Sequence, residues 1–531
     1  MVVIDKMFNK GFCWIEGENV AVRGYAYIEN EYYESCNLAD YIVKNSIFET
    51  QDIQDFVSNI SGSFAIIYED QATSILCTDI VRTFPIFYTI LNDQILISNS
   101  CKELAKYRNF QIDQKSLLEF RKAGYVTDNR TIYKDVFQVE AGSIVIWHNE
   151  SLKNIKYFSY LTNCYYGESF SALSNRLESI LDGVSNRLVK SLKGKTAVIP
   201  LSGGYDSRLV ASLLKKKNYS DVICFSYGRG DSFEAAISKQ VAERLGYKWI
   251  FIEYSDELLK ETINSDQWDE YLEFGFNGTS VSCIQDFFAV KELKDKYLIP
   301  NNSIFIPGHT GDFFAGTHTL GAKDGFSTKK EIDKKVYGHH FILDGDKYKY
   351  KEIDIINEEQ AVKYYAHSII ENWDIENRQA KFIINANRVY EYFEYEHRVP
   401  LWDRELAGFF KKVPLSYKNR DNNQGYIEDK NLYDHTIMRY FLDFTVDFKK
   451  YHPKNKNNTG KMNLLIKHIL RRVLPKEFYG RLSKLYLKIL KYDAINDPDN
   501  FERMAFFLSS NLREYININS IIIMKIVQRL M

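Results

Sequence analysis

The stretch that decides the fold is Thr196-Ala197-Val198-Ile199-Pro200-Leu201-Ser202-Gly203-Gly204-Tyr205-Asp206-Ser207. Its mostly apolar first half predicts a strand, the two glycines predict a tight turn, and a helix is expected to begin near Arg208. The glycines let the backbone approach a polyanion closely, and two serines supply hydroxyl donors. The start of the helix adds unpaired N–H groups and a positive dipole end. The stretch therefore predicts a loop that binds phosphate.

An acid inside this loop, Asp206, indicates the reaction. The loop lacks the lysine of a GxxxxGK[ST] motif, which argues against transfer of a γ-phosphoryl group. Asp206 would repel phosphate unless a divalent cation lay between them, and Mg²⁺ suits that arrangement. The combination favours release of pyrophosphate from ATP. The alternative is a turn that only caps a helix, but a cap requires neither two glycines nor an internal acid.

The six residues from Ser202 to Ser207 resemble the SGGxDS pyrophosphate loop of the N-type ATP pyrophosphatases. That superfamily includes asparagine synthetases, β-lactam synthetases, GMP and NAD synthetases and argininosuccinate synthetase. The resemblance implies that Ser202, Gly203, Gly204, Asp206 and Ser207 hold ATP and pyrophosphate.

Composition limits the class of protein. The chain has 531 residues, 45% hydrophobic and 26% charged, as expected of a globular protein with two or three domains. Its net charge of −1 argues against a general nucleic-acid binder. Seven scattered cysteines without CxxC spacing predict reduced thiols, and no apolar run is long enough to cross a bilayer. We therefore expect a cytoplasmic protein with no transmembrane segment.

From residue 20 to about 150, the apolar residues mostly recur at strand spacing or in short runs. Strands are predicted at 20–28, 63–68, 74–78 and 142–147, and helices at 38–43 and 115–122. The pattern predicts a layered α+β domain that is rich in antiparallel strands.

Three segments of this region carry a family resemblance. Ser61–Ala65, Cys77–Tyr88 and Ile95–Ser100 match, in order and spacing, the "G-x-F-A … R-D-x-x-G-x-x-P-L-Y-Y … F-A-S-E" series of the glutaminase domain of asparagine synthetases. Together with the loop at Ser202, they identify the chain as similar to the asparagine synthetase and β-lactam synthetase family. The resemblance implies an N-terminal nucleophile (Ntn) hydrolase-like α+β domain at 1–165. A parallel-sheet adenine nucleotide α-hydrolase-like (PP-loop) synthetase domain with a helical C-terminal tail is implied at 166–531.

The sequence departs from the family at the residues that glutaminase activity requires. The family uses an N-terminal cysteine, and position 2 is Val2. The R-H-R-G-P-D and N-G-E-I-Y-N segments of the family have no counterpart before Phe64. Cys13 could act only if the first 12 residues were removed. We interpret the domain as a degenerate glutaminase fold, as in the β-lactam synthetases, that makes no ammonia from glutamine.

The synthetase half alternates between helix and strand. A long helix is predicted at 169–192, a strand at 222–228, a helix at 233–245 and a strand at 249–252. This alternation predicts a parallel sheet that binds its ligands beyond the carboxyl ends of its strands. Ser226 and Tyr227 lie at such an end and are candidates to frame the nucleotide by backbone contacts; that they only end a strand is the alternative.

A second glycine-rich turn, Ile304 to Gly316, resembles the family's "L-S-G-x-G-x-D-E-x-x-x-G" turn. The resemblance assigns Gly308 to the ATP site and Asp312 to an Mg²⁺ ion shared with Asp206. Phe313 stands where the family has a second acid. His309 stands where asparagine synthetases carry Glu and β-lactam synthetases carry Tyr, and it is a candidate base for an attacking amine. A histidine that orients substrate, or has no role, is the alternative.

A third block, Tyr390 to Asp403, resembles the family's "E-x-R-V-P-F-L-D", which closes the acceptor side of the active site. An ion-paired structural turn is the alternative for Arg398 and Asp403. Glu394, or alternatively Glu391, is the candidate partner of His309.

The family also uses a C-terminal lysine. Lys430 lies at about the expected distance along the chain from the third block, whereas the residues around Lys461 match the family's local sequence motif better. Residues 461–491 are basic with helical spacing, and this predicts a tail packed on its own domain or a surface for an anionic membrane or a partner.

The function implied is an AMP-forming carbon–nitrogen ligase that uses ATP and Mg²⁺. It would adenylate a small-molecule carboxylate and transfer ammonia or an amine to it, with no nucleic-acid partner. Asparagine synthesis proper and a non-catalytic nucleotide-binding scaffold are the alternatives, and homodimerisation stays open.

Overall fold

A computed structural model describes residues 2–3, 11–17, 19–230, 232–343, 355–418, 431–441 and 518–530. The strands within these ranges are β1 (Val2–Val3), β2 (Ile15–Glu16), β3 (Val20–Ile28), β4 (Glu31–Glu34), β5 (Ser61–Glu69), β6 (Thr73–Thr78), β7 (Phe87–Leu91), β8 (Gln94–Ser98), β9 (Phe137–Gln138), β10 (Ser143–His148), β11 (Ser151–Lys156), β12 (Ala197–Pro200), β13 (Val222–Gly228), β14 (Lys248–Glu253), β15 (Ile304–Phe305) and β16 (Glu396–His397).

The α-helices are α1 (Ser35–Lys44), α2 (Thr50–Asn59), α3 (Cys101–Lys106), α4 (Gln114–Ala123), α5 (Phe170–Leu192), α6 (Tyr205–Lys216), α7 (Phe233–Leu245), α8 (Asp256–Ile263), α9 (Asp266–Phe276), α10 (Phe287–Asp295), α11 (Gly311–Phe314), α12 (Lys329–His340), α13 (Glu358–Lys363), α14 (Ala366–Asp374), α15 (Arg388–Tyr392), α16 (Arg404–Phe410), α17 (Leu432–Phe441) and α18 (Ile518–Leu530). A π-helix (Ile375–Ile383) and short 3₁₀ turns (Ile384–Asn387, Pro400–Trp402 and Leu415–Tyr417) complete the set. None of the helices in the described part of the chain is long and apolar enough to cross a membrane.

The N-terminal domain is built from two sheets. One has the strand order β1-β8-β7-β9, and the other has the order β11-β10-β6-β5-β3-β2 with β4 beside β3. In β5, Phe64 and Ile66 pack against α1 and α2, while Ala65 and Ile67 pack in the core that contains Ile97 of the other sheet. Because alternate residues of a strand face opposite sides, both faces of β5 are buried.

The synthetase domain is built on a parallel sheet with the strand order β14-β13-β12-β15-β16. Ala197 and Ile199 of β12 pack in a core with α5, α6 and α7, whereas Val198 packs with α9 and α10 on the other face. Helices therefore cover both faces, and the ligand-binding positions are at the carboxyl ends of the strands.

The structure confirms the predicted strands and helices, but helix α6 begins earlier than predicted. The strand at 222–228 and the helix at 233–245 agree with β13 and α7. Helix α6, however, begins at Tyr205 rather than near Arg208. Gly204 is extended (φ −76°, ψ 169°) and is the N-cap, so Asp206 lies in the first turn, where the helix dipole favours an acid.

The last described helix, α18, packs across both domains. Its Ile522, Ile523 and Ile526 are buried in the core that contains Phe120 of α4, and Arg529 forms an ion pair with Asp269 of α9 (2.5 Å). The helical end of the tail thus lies on its own chain. The basic stretch at 461–491 lies outside the described residues.

Candidate active site

The predicted phosphate loop connects β12 to α6 and is held by its two serines. Ser202 Oγ lies 3.0 Å from Ser207 Oγ, and the backbone N–H of Ser202 donates to Ser207 Oγ (3.1 Å). The N–H of Gly204 donates to Ser202 Oγ (3.1 Å). These bonds close the loop around the N-terminus of α6, which is the usual position for a bound phosphate.

The second turn lies directly against this loop. A Cβ atom at Gly308 would be 2.4 Å from the backbone nitrogen of Ser207, and one at Gly311 would be 2.4 Å from Asp206 Oδ1. No side chain fits at either position, so the glycines are explained by close contact between the two turns. Gly308 therefore lies beside the phosphate loop, and its contact with ATP stays a prediction.

The two candidate metal ligands are adjacent. The backbone N–H of Asp312 donates to Asp206 Oδ2 (2.9 Å), and the hydroxyl of Tyr433 donates to Asp206 Oδ1 (2.9 Å). Among the described residues, no group of three or more His, Cys, Asp or Glu side chains could hold a metal ion alone. Two carboxylates fit Mg²⁺, which takes few protein ligands and completes its shell with phosphate oxygens and water.

A buried histidine connects Asp312 to the domain interior. His318 lies with Nε2 3.5 Å from Asp312 Oδ2 and Nδ1 3.2 Å from Asp374 Oδ2. Burial alone would lower the pKa of His318, but Asp374 and Asp312 outweigh it and raise the pKa to about 9. The raised pKa favours the protonated form of His318 at neutral pH, and in that form it can pair with the carboxylate of Asp312. The sequence reasoning missed it, although it lies six residues after Asp312.

His309 follows β15 and is partly exposed beside the loop. Burial lowers the pKa of His309, and the carboxylates of Asp286 and Asp312 act in the opposite direction. A neutral imidazole at neutral pH can accept a proton, so the position is compatible with the predicted base.

Asp286 was not found by sequence reasoning. It precedes α10 and accepts hydrogen bonds from the hydroxyls of Tyr227 (Oη to Oδ1, 2.8 Å) and Tyr390 (to Oδ2). Tyr227 is the penultimate residue of β13, and a tyrosine at the carboxyl end of a parallel strand was the one signal that could have indicated this position.

The structure does not bring Glu394 to His309, and this part of the catalytic assignment is corrected. Glu394 precedes β16, at the amino edge of the sheet, whereas His309 follows β15 at the carboxyl edge. The side chain of Glu394 is 63% exposed and forms an ion pair with Lys294 (2.8 Å). The alternative, Glu391, is buried in an ion pair with Arg23 (2.8 Å).

Three predicted site residues remain: Ser226, Lys430 and Lys461. Ser226 is buried in β13, and its hydroxyl has no hydrogen-bond partner in the described part of the chain. Its contact with a nucleotide stays a prediction. Lys430 and Lys461 lie outside the described residues.

The third block, Tyr390 to Asp403, contributes to the interface between the two domains. Arg398 is buried over the rings of Tyr25 (4.6 Å) and Phe12 (4.9 Å), and Asp403 binds Arg187 through two bonds of 2.7 and 2.9 Å. Ser61, in the N-terminal segment Ser61–Ala65 that resembles the family, donates to Asp403 (3.3 Å). Arg398 and Asp403 thus have the structural, ion-paired role that was the alternative interpretation.

The N-terminal strand offers no nucleophile at its start. Val2 and Val3 pair in parallel with Ile97 and Ser98 of β8. Cys13 is exposed, with its sulfur 4.0 Å from the carbonyl of Gly11, and it lies beyond this strand.

Comparison with known proteins identifies the family. The asparagine synthase family model matches residues 182–489, and the glutamine amidotransferase domain model matches residues 42–158. The chain belongs to the asparagine synthase family. The two matches and the observed sheets confirm the predicted fold class, an Ntn-like domain followed by a PP-loop synthetase domain. The boundary at 165/166 stays a prediction.

Solved structures add little. The chain is 12% identical to a B. subtilis glutamine phosphoribosylpyrophosphate amidotransferase complexed with ADP and GMP, covering 58% of each chain with a TM-score of 0.19. It is 11% identical to a protein described as the allosteric regulatory enzyme of purine biosynthesis, covering 56% of this chain and 58% of that one with a TM-score of 0.19. The chain thus spans less than two thirds of either protein, and no curated protein sequence matches it.

Proposed function

We propose that this member of the asparagine synthase family is an ATP-dependent, AMP-forming ligase that makes an amide from a small-molecule carboxylate. The observation that carries the proposal is the 2.9 Å hydrogen bond from the Asp312 N–H to Asp206, because it joins the phosphate loop and the His309 turn into one site. Ser202, Gly203, Gly204 and Ser207 surround the position for pyrophosphate at the N-terminus of α6.

The reaction has two steps. A carboxylate oxygen of the substrate attacks the α-phosphorus of ATP, the bond from that phosphorus to the bridging oxygen breaks, and pyrophosphate leaves. The nitrogen of ammonia or an amine then attacks the acyl carbon, the bond from that carbon to the AMP oxygen breaks, and His309 takes a proton from the nitrogen. Asp206 and Asp312 would hold Mg²⁺, whose charge would offset that of the phosphates. Hydrogen-bond donors of the loop would stabilise the charge that develops on the phosphate oxygens.

Pyrophosphate release tests this proposal. The purified full chain is incubated with Mg·ATP, ammonium and a panel of carboxylates that includes aspartate, and Asp206→Asn is the paired variant. We expect release with at least one carboxylate and its loss in the variant. Release with aspartate would identify an asparagine synthetase proper. No release with any carboxylate would leave a nucleotide-binding scaffold and refute the ligase.

We also propose that the N-terminal domain supplies no ammonia. Val2 begins the strand where the family places its cysteine, and the glutamine amidotransferase match begins only at residue 42. Glutamine should therefore not replace ammonium in the assay. Amidation that is driven by glutamine and lost in Cys13→Ala would overturn this part of the proposal.

A further inference from the structure

The carboxylate of Asp286 is held by neutral donors only. Its two oxygens accept the hydroxyls of Tyr227 (2.8 Å) and Tyr390, and no Lys, Arg or His forms an ion pair with it in the described ranges. The residue is half-buried. Because a partly desolvated carboxylate is normally paired with a cation, Asp286 has the properties of a site for a cationic ligand.

Both tyrosines are fixed by aromatic stacking. The ring of Tyr227 lies 4.8 Å from that of Tyr254 with 8° between the planes, and the ring of Tyr390 lies 4.4 Å from that of Phe305 with 16° between the planes. Side chains held this firmly hold the carboxylate in one orientation. Asp286 is thus preorganised before any ligand binds.

Asp286 and its two tyrosines lie near His309. Ile304 and Ile306 pack with the helices on the phosphate-loop side of the sheet, whereas Phe305 packs on the opposite side with Tyr390. Gly308 contacts the loop, and the charge of Asp286 acts on the ring of His309. Asp286 and the phosphate loop are therefore both close to His309.

We propose that Asp286, oriented by Tyr227 and Tyr390, binds a primary ammonium group of the substrate that faces His309. This inference rests on the proposed ligase function and names the chemistry of its acceptor. The ammonium belongs either to the nucleophile or to an amino acid that supplies the carboxylate. Two of the hydrogen-bond positions of Asp286 are taken by tyrosines, and the remaining ones accept N–H groups of the ligand.

The test measures binding to the full chain without nucleotide. The ring signal of His309 is followed by NMR in ¹³C-histidine-labelled protein, and it is assigned with His309→Gln. Methylammonium and glycine are titrated separately, and tetramethylammonium, which has the charge but no N–H, is the control ligand. Asp286→Asn is the test variant. Glu270→Gln is the matched control, because Glu270 is a carboxylate that accepts a tyrosine hydroxyl (Tyr392, 3.0 Å) elsewhere in the domain.

A saturating shift with methylammonium in the wild type, at least tenfold weaker in Asp286→Asn and unchanged in Glu270→Gln, supports a nucleophile site. The same pattern with glycine alone assigns the ammonium to the carboxylate substrate. Equal affinity in Asp286→Asn, an equal shift with tetramethylammonium, or no saturable shift with either probe overturns the inference. Tyr227→Phe keeps the carboxylate but removes one of its two hydrogen-bond donors. It should bind the probe with an affinity between those of the wild type and Asp286→Asn, and it replaces Asp286→Asn if that variant does not fold. Because no ATP is present, a failure of pyrophosphate release would refute the ligase proposal separately.

Discussion

Replacing Gly311 by alanine should separate the two turns of the site. The new Cβ would lie 1.9 Å from the hydroxyl oxygen of Tyr433 and 2.4 Å from Asp206 Oδ1, so both side chains must move by about 1 Å or more to reach ordinary contact distance. The bonds to Asp206 from the Tyr433 hydroxyl and the Asp312 N–H, each 2.9 Å, would be strained or lost. Hydrogen bonds to a charged group contribute about 1.5–3 kcal/mol each. Loss of one, at about 2 kcal/mol, corresponds to roughly 30-fold weaker binding of Mg·ATP.

Isothermal titration calorimetry with Mg·ATP checks this value on the full chain. Gly338→Ala is the matched control, because Gly338 lies in α12 and a Cβ there would have no heavy atom within 4 Å. The control should bind Mg·ATP like the wild type and be slightly more stable, since alanine favours a helix. A folded Gly311→Ala protein that binds Mg·ATP within twofold of the wild type would refute the argument that this contact shapes the site.

Three further variants test other parts of the structure. Asp79→Ala leaves three buried backbone N–H groups without an acceptor (now 2.9–3.0 Å from the carboxylate) and should lower the free energy of unfolding by roughly 3 kcal/mol in urea titration; an effect below 1 kcal/mol would contradict this. Arg187→Ala leaves Asp403 buried without its cation and should lower the free energy of unfolding by about 3 kcal/mol in the same urea titration; an effect below 1 kcal/mol would contradict the buried ion pair. His318, whose pKa is raised to about 9 from an unfolded value near 6.5, stabilises the fold fully below pH 6.5, and this stabilisation of roughly 3 kcal/mol is lost as pH rises through 9. In denaturant titrations with EDTA, the free energy of unfolding of His318→Gln should no longer fall between pH 6.5 and 9. A fall with pH equal to that of the wild type would contradict the assignment.

Much of the fold could be predicted because local patterns and tertiary structure agree. Strand β13 and helix α7 have the predicted bounds, since each combines a clear apolar pattern with a turn at both ends. The predicted phosphate loop could be recognised because its glycines and serines form a motif of six consecutive residues. The start of α6 was placed three residues late, because the polar residues Tyr205 to Ser207 suggest a loop when the helix dipole is ignored.

The candidate site could be predicted only where its residues form a motif. Asp286 is 23 residues before His309 and belongs to no motif, so only the folded chain shows that Tyr227 and Tyr390 hold it beside the site. Glu394 was chosen from the third block itself as one of two possible partners of His309, but the parallel register of β15 and β16 puts it at the opposite edge of the sheet. The two-residue strand β16 was not predicted from the sequence, so only the folded chain shows at which edge of the sheet Glu394 lies.

The central claim, that the site joins a carboxylate to AMP before the amide forms, is tested most directly by isotope transfer. The carboxylate that supports pyrophosphate release is labelled with ¹⁸O at both oxygens, the full chain is supplied with Mg·ATP and ammonium or the amine, and AMP is isolated for mass spectrometry. The account predicts one ¹⁸O atom in AMP and none in pyrophosphate, since the attacking oxygen stays on the α-phosphorus. Label in inorganic phosphate with formation of ADP, or AMP without label, would contradict it.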